Sequence, residues 1–136
     1  MHPRPRYTRS SRRGILRPVI VIVAGAVAWS DAAAIERELA KLPAGSTVIH
    51  GDCPGADALA GEIGGRLGHT VVAMTKNAED RRRFRKLAWK GLNERMLARG
   101  AVRVLVFHPD IAASRGSKHM AELARAAGVE VLVFSA

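Results

Sequence analysis

Five short runs of aliphatic residues, each separated from the next by a longer helix-forming stretch, set the rhythm of the chain. Residues 19–24 (Val-Ile-Val-Ile-Val-Ala) contain no polar position. A strand can be apolar throughout only when both of its faces are covered, so this run predicts a strand near the centre of a parallel sheet. Further strands are predicted over 47–50, 69–74, 102–107 and 129–134. Between them the spacing of apolar positions predicts helices. The first covers 32–42 on the stripe Ile35, Leu39 and Leu42, with Ser30 or Asp31 as its cap and Pro43-Ala44-Gly45 as its stop. The second covers 55–67, closed by Gly68. A long polar helix is predicted over 78–99, and a last one over 118–127, closed by Gly128. Strand and helix alternate, which predicts right-handed crossovers and a doubly wound α/β sheet of five mainly parallel strands with helices on both faces.

Composition agrees with this pattern. Residues are 48% hydrophobic but only 4% aromatic, so the core must be built from Val, Leu, Ile and Ala. A length of 136 residues suits one domain, here 18–136, behind a basic and flexible tail over 1–17. The longest apolar run, 19–28, is half of what a membrane-spanning helix needs, and the single cysteine, Cys53, excludes an internal disulfide. A cytoplasmic protein without a membrane partner is the expectation. The net charge of +10 is concentrated in the tail, where Arg4, Arg6, Arg9, Arg12, Arg13 and Arg17 meet no acid. Such an arm either holds nucleic-acid phosphates or serves only as a solubilising leader.

In doubly wound sheets ligands sit beyond the carboxyl ends of the strands. Three segments fall there: 25–31, 50–57 and 108–117. The second, His50-Gly51-Asp52-Cys53-Pro54-Gly55-Ala56-Asp57, runs from a strand through glycines into a helix. That order offers backbone N–H groups to an anion. Gly51 and Gly55 are therefore candidate phosphate contacts, with Gly25 and Ala56 beside them. Asp57 either reaches a ribose hydroxyl or complements the helix dipole. On this picture Gly55→Glu blocks the ligand and spares the fold. His50 is a candidate acid/base group or a histidine satisfied by its own loop. Cys53 near a helix start reads as an inert small residue. Arg115, Gly116 and Ser117 open a helix and are further candidate donors, and Asn93 either binds a base or sugar edge or joins a helix to a loop. Arg81, Arg82, Arg83, Arg85, Lys86 and Lys90 form either a nucleic-acid face or a solvated helix surface. Neither a metal-ligand spacing nor a Walker-type loop occurs, so no metal and no identified cofactor are expected.

Taken in order, four pieces resemble the SLOG superfamily of Smf/DprA DNA-processing proteins and LOG cytokinin-activating enzymes, and among them its small YspA/YpsA-related branch of bacteria and phages. They are the strand ending at Gly25, the stretch His50–Asp57 (like His-Gly-x-x-x-Gly-Ala-Asp), Asn93-Glu94-Arg95-Met96 (like Arg-Asn-x-x-Met) and Ser114–Met120 (like Gly-Thr-x-x-Met). The resemblance implies a Rossmann-like fold, a nucleotide-type ligand at the glycine loops and, as relatives often dimerise, a second copy as partner. The chain departs from the pattern at Ala26-Val27, where relatives carry Gly-Arg or Ser-Arg, and at Leu92, where they carry Arg. It also has Met120 where LOG-type phosphoribohydrolases place their Glu. The expected function is a nucleotide-binding sensor or sequestering module. The alternatives are an N-glycosidic hydrolase using His50, Asp57 or Glu122 instead, and a DNA-binding accessory protein.

Overall fold

The computed structural model describes residues 16–136. Its strands β1 (Ile20–Gly25), β2 (Thr47–His50), β3 (Thr70–Ala73), β4 (Arg103–Phe107) and β5 (Glu130–Phe134) form one sheet in the spatial order β3-β2-β1-β4-β5. Every neighbouring pair is parallel. The all-apolar run lies at the centre, as its pattern requires, with Val21, Ile22 and Val23 at most 1% exposed. Successive side chains leave a strand on opposite faces. Val21 and Val23 therefore join Val48, Leu105 and Phe107 in one apolar layer, while Ile22 joins Ile49, Val104 and Val106 in the other.

Four helices cover these layers. Helices α1 (Ala32–Leu39) and α2 (Ala56–Arg66) lie on the first, closing it with Ile35, Leu39, Ala60 and Ile63. Helices α4 (Trp89–Leu97) and α5 (Gly116–Ala126) lie on the second, with Leu92, Met96, Met120 and Ala124. Between α2 and α4 stands the short α3 (Ala78–Phe84). The result is the Rossmann-like, doubly wound α/β fold expected from the alternation. Asp31 is the cap of α1, its carboxylate accepting from the Ala34 N–H at 3.2 Å. Helix α1 stops three residues earlier than its apolar stripe, although Leu42 remains buried. The arginines at 4–13 lie outside the described residues.

The segment 78–99 departs from the continuous helix predicted for it. It folds as α3, a 3-10 turn over Arg85–Leu87, and α4. Arg85 stands in the left-handed region at φ 55°, a placement that costs a non-glycine residue about 1–2 kcal/mol. What holds the bend is an ion pair that a straight helix cannot make. Arg95 donates to Asp80 at 2.5 and 3.2 Å and to the Thr75 carbonyl at 2.6 Å. Asp80 is 1% exposed, closes a reciprocal cap with Asn77, and has its carboxyl held below the usual range by the Arg95 guanidinium. A Cβ at position 91 would stand 2.4 Å from its Oδ1, so Gly91 is what lets the two helices close.

Candidate functional site

Strand order reverses between β1 and β4, and at the carboxyl ends of β1, β2 and β4 lies a cleft of about 300 Å³. The loop after β1 contributes Ala26 and Val27, the loop after β2 Gly51 and Cys53, the first turn of α2 Asp57, and the loop after β4 His108 and Ser114. Helix α4 supplies Trp89, Leu92, Asn93 and Met96, and the start of α5 supplies Gly116 and Ser117. Of the residues singled out in the sequence, Gly25, Gly51, Asp57, Asn93, Gly116 and Ser117 are brought together here. His50, Gly55 and Ala56 lie outside the lining, and Arg115 and Glu122 belong to a neighbouring recess.

The loop after β2 is closed on itself. The Asp57 carboxylate turns back and accepts from the N–H groups of Gly51 (3.0 Å) and Cys53 (3.3 Å). The Asp52 N–H donates to His50 Nδ1 at 2.9 Å, and the Ala56 N–H to the Ala26 carbonyl at 3.1 Å. Four of the loop's donors are thus already engaged, two of them by an internal carboxylate. Burial pushes the Asp57 carboxyl up from 3.8 to about 6, against the lowering effect of its two backbone donors. Burial also raises the Cys53 thiol, which fits an inert residue rather than a nucleophile. The His50 ring faces α2, where a Cβ on Gly61 would stand 2.8 Å from Nε2. Desolvation lowers its pKa.

Two of the glycines are explained by packing. Gly55 has φ 81°, and a Cβ there would meet the carbonyl oxygens of Val27 and Ala26 at 2.2 and 2.3 Å. A Cβ on Gly25 would meet the Phe107 carbonyl oxygen at 2.2 Å. These glycines let three loops touch. Gly55→Glu is consequently not the fold-neutral probe that the sequence suggests.

The other side of the cleft is held differently. Asn93, 7% exposed, donates through Nδ2 to the Gly116 carbonyl (3.1 Å) and to His119 Nδ1 (3.0 Å). A carbonyl only accepts, which assigns Nδ2 to this side and leaves Oδ1 without a partner among the described residues. The Ser114 hydroxyl accepts from the Ser117 N–H at 3.0 Å, fixing the entry to α5. Around Gly116 a Cβ would meet nothing within 4 Å. Sequence reasoning passed over His108, Leu92 and Met96 as cleft residues and His119 as the partner of Asn93. The signal for Leu92 and Met96 was the position of α4 beside the strand ends, visible only once the helix is broken at Arg85, whereas His108 opens the segment 108–117 already expected at the strand ends.

Across Trp89 and Ser114, which line both, the cleft adjoins a more open recess of about 380 Å³. It is lined by Lys90, Arg115, Lys118, His119 and Glu122. The Arg115 guanidinium and the Lys90 ammonium stand 5.6 and 5.8 Å from the Trp89 ring centre, and His119 meets that ring edge-on at 5.4 Å. Burial, followed by Lys90, lowers the His119 pKa. Within the basic run, Arg82 pairs with Glu79, and Arg83 with Glu94 at 2.9 Å. Among the described residues there is no group of three or more His, Cys, Asp or Glu placed to hold a metal ion. No helix there is long and apolar enough to cross a membrane.

No protein-family model matches the chain, and no curated protein matches it in sequence. Among solved structures it is similar to DNA processing protein A (DprA) from Streptococcus pneumoniae, with a TM-score of 0.64 and 18% identity. The likeness covers 85% of this chain and 50% of that one, so the chain spans about half the length of the protein it matches. At that identity what the two share is the fold, a Rossmann-like sheet of the kind found in DprA.

Proposed function

We propose that this chain is a nucleotide-binding module of the SLOG type, of the YspA/YpsA-related branch, which senses or sequesters a nucleotide or nucleotide-derived ligand. The observation that carries the reading is the cleft at the strand-order reversal. It has an apolar wall (Trp89, Leu92, Met96, Val27) and a few convergent polar groups (Asp57, Asn93, Ser117), the usual composition of a small-molecule site. The motifs at 50–57, 93–96 and 114–120 and the likeness in fold to DprA support it. Binding is favoured over hydrolysis because the three candidate catalytic residues do not converge. Asp57 is in the cleft, His50 faces α2, and Glu122 lines the recess.

A thermal-shift series at fixed salt tests this with AMP, ADP, ATP, NAD, ADP-ribose, cyclic dinucleotides and a short single-stranded DNA. A ligand at about 100 times its dissociation constant adds about 2.7 kcal/mol, which moves the midpoint of a domain of this size by several degrees. The expected result is a shift with one nucleotide class that persists as salt rises. No shift with any nucleotide up to millimolar concentration overturns the reading. The second reading, contact with DNA, draws on the name of the structural neighbour, a DNA processing protein, and on the recess cations Lys90, Arg115 and Lys118. It requires a shift with the DNA alone that vanishes with salt.

A further inference from the structure

We propose that the ligand is held in two parts, its uncharged ring portion in the cleft and its phosphate ester outside it, in the basic recess beyond Trp89. The proposal rests on the nucleotide reading above and adds to it the place and the residues of the phosphate.

The distribution of charge carries the argument. One charged side chain lines the cleft, and it is a carboxylate, Asp57. The N–H groups beside it are engaged by that same carboxylate, so a phosphate there would find a like charge and few donors. The recess has the opposite character. Lys90, Arg115 and Lys118 bring three positive charges against the single Glu122, and none of the three cations forms an ion pair among the described residues. Unpaired cations gathered around a concavity favour an anion, and a guanidinium suits phosphate oxygens in particular. His119 adds a donor. Its Nδ1 accepts from Asn93, so the neutral ring carries its hydrogen on Nε2.

Continuity and size complete the case. Trp89 and Ser114 line both cavities, so one ligand can reach from the cleft into the recess without leaving the protein surface. The cleft's roughly 300 Å³ lies at the lower end of ligand pockets, room for a base and sugar with the phosphate directed outward. The more open recess then meets the charged end where solvent can still reach it.

The experiment is titration calorimetry on the full chain at fixed low salt. The ligands are adenosine, guanosine, cytidine and uridine, their 5′-monophosphates, pyrophosphate, and a dinucleoside phosphate. The proteins are the natural chain, the recess variant Lys90→Ala/Arg115→Ala/Lys118→Ala, and a control that removes three exposed cations elsewhere, Arg37→Ala/Arg99→Ala/Arg125→Ala. One monophosphate should bind the natural chain about tenfold or more tighter than its nucleoside, as charge-assisted contacts imply. That margin should vanish in the recess variant, with nucleoside affinity unchanged, and persist in the control. Equal affinity for nucleoside and monophosphate, a margin that survives in the recess variant, or a matching loss of nucleoside affinity would each overturn the two-part site while leaving nucleotide binding in place. Pyrophosphate bound through the recess without any nucleoside binding overturns the cleft portion and the nucleotide reading with it. No binding of any ligand overturns both. A dinucleoside phosphate that outcompetes the monophosphate upholds the site and assigns its phosphate to a nucleic-acid strand, and the reverse order upholds it for a free nucleotide.

Discussion

The two loops on either side of the cleft look alike as text and behave as opposites. Residues 50–57 carry the richer glycine pattern, yet the N–H groups of Gly51, Asp52, Cys53 and Ala56 are engaged by Asp57, His50 Nδ1 and the Ala26 carbonyl, and Gly55 is packed against backbone. Residues 108–117 carry one glycine, and around it there is open space. A glycine before a helix marks a place where backbone must come close to something. Only the fold tells whether that something is a ligand or another loop.

Substitution at these glycines is the strongest way to break the contrast. Gly55→Ala forces a Cβ to within 2.2 Å of a carbonyl oxygen at a positive φ, and the expected loss exceeds about 4 kcal/mol, enough to unfold a marginal domain. Gly116→Ala enters open space at a helix start, and the expected change is within about 1 kcal/mol, of stabilising sign. Urea unfolding of the two variants decides. Similar midpoints would mean that both loops are equally open.

The next effect concerns how a buried carboxylate is held. Asp80 is satisfied by a guanidinium and Asp57 by backbone N–H groups. Arg95→Met leaves Asp80 buried without its counter-charge, at an expected loss of about 3 kcal/mol. A loss below about 1 kcal/mol, as for an exposed pair, would show that the bend at Arg85 does not depend on this contact.

Smaller, and opposite in sign, is the pH dependence of the two acids. Asp57 holds its proton more tightly in the folded protein than in the unfolded chain, about 6 against 3.8. Its contribution to stability is fully present below about pH 4 and is lost as pH rises through about 6, amounting to on the order of 2–3 kcal/mol. Asp80, whose carboxyl is lowered, contributes above the ordinary carboxylate range and loses that contribution as pH falls below it. Asp57→Asn should remove the slope between pH 4 and 6 and leave the acid limb in place. Unfolding free energies measured across pH 3–8 for the natural chain and the variant check this. A slope unchanged in the variant would assign it to another group.

Much of this was legible in the chain. An unbroken β-branched run at 19–23 can only be a central strand, and the alternation that follows leaves little choice of architecture. The grouping of Gly51, Asp57, Gly116 and Ser117 at one end of the sheet also follows from their positions at strand and helix ends, whereas Asn93 sits in the middle of α4 and joins them only through the break at Arg85. What was hidden depends on partners far away in sequence. No glycine or proline stands at the turn over 85–87, and the bend exists because Asp80 and Arg95 meet across it, with Gly91 making room for the contact. Gly55 is filled by the carbonyls of residues 26 and 27. His119 gained its place only when Asn93, 26 residues earlier, was seen to donate to it.

The two tryptophans have been placed so differently that the protein carries its own optical reporters. Trp29 is buried against Phe107, with its indole N–H donating to the Asp31 carbonyl, so its emission follows the integrity of the core. Trp89 is half-buried in the wall shared by cleft and recess, beside two cations and a histidine, all of them quenchers or shifters of indole emission. A chain with Trp29 replaced by Phe would therefore report on occupancy under conditions where the protein stays folded, and one with Trp89 replaced by Phe on unfolding. A single cuvette can then follow the site and the scaffold as two separate signals.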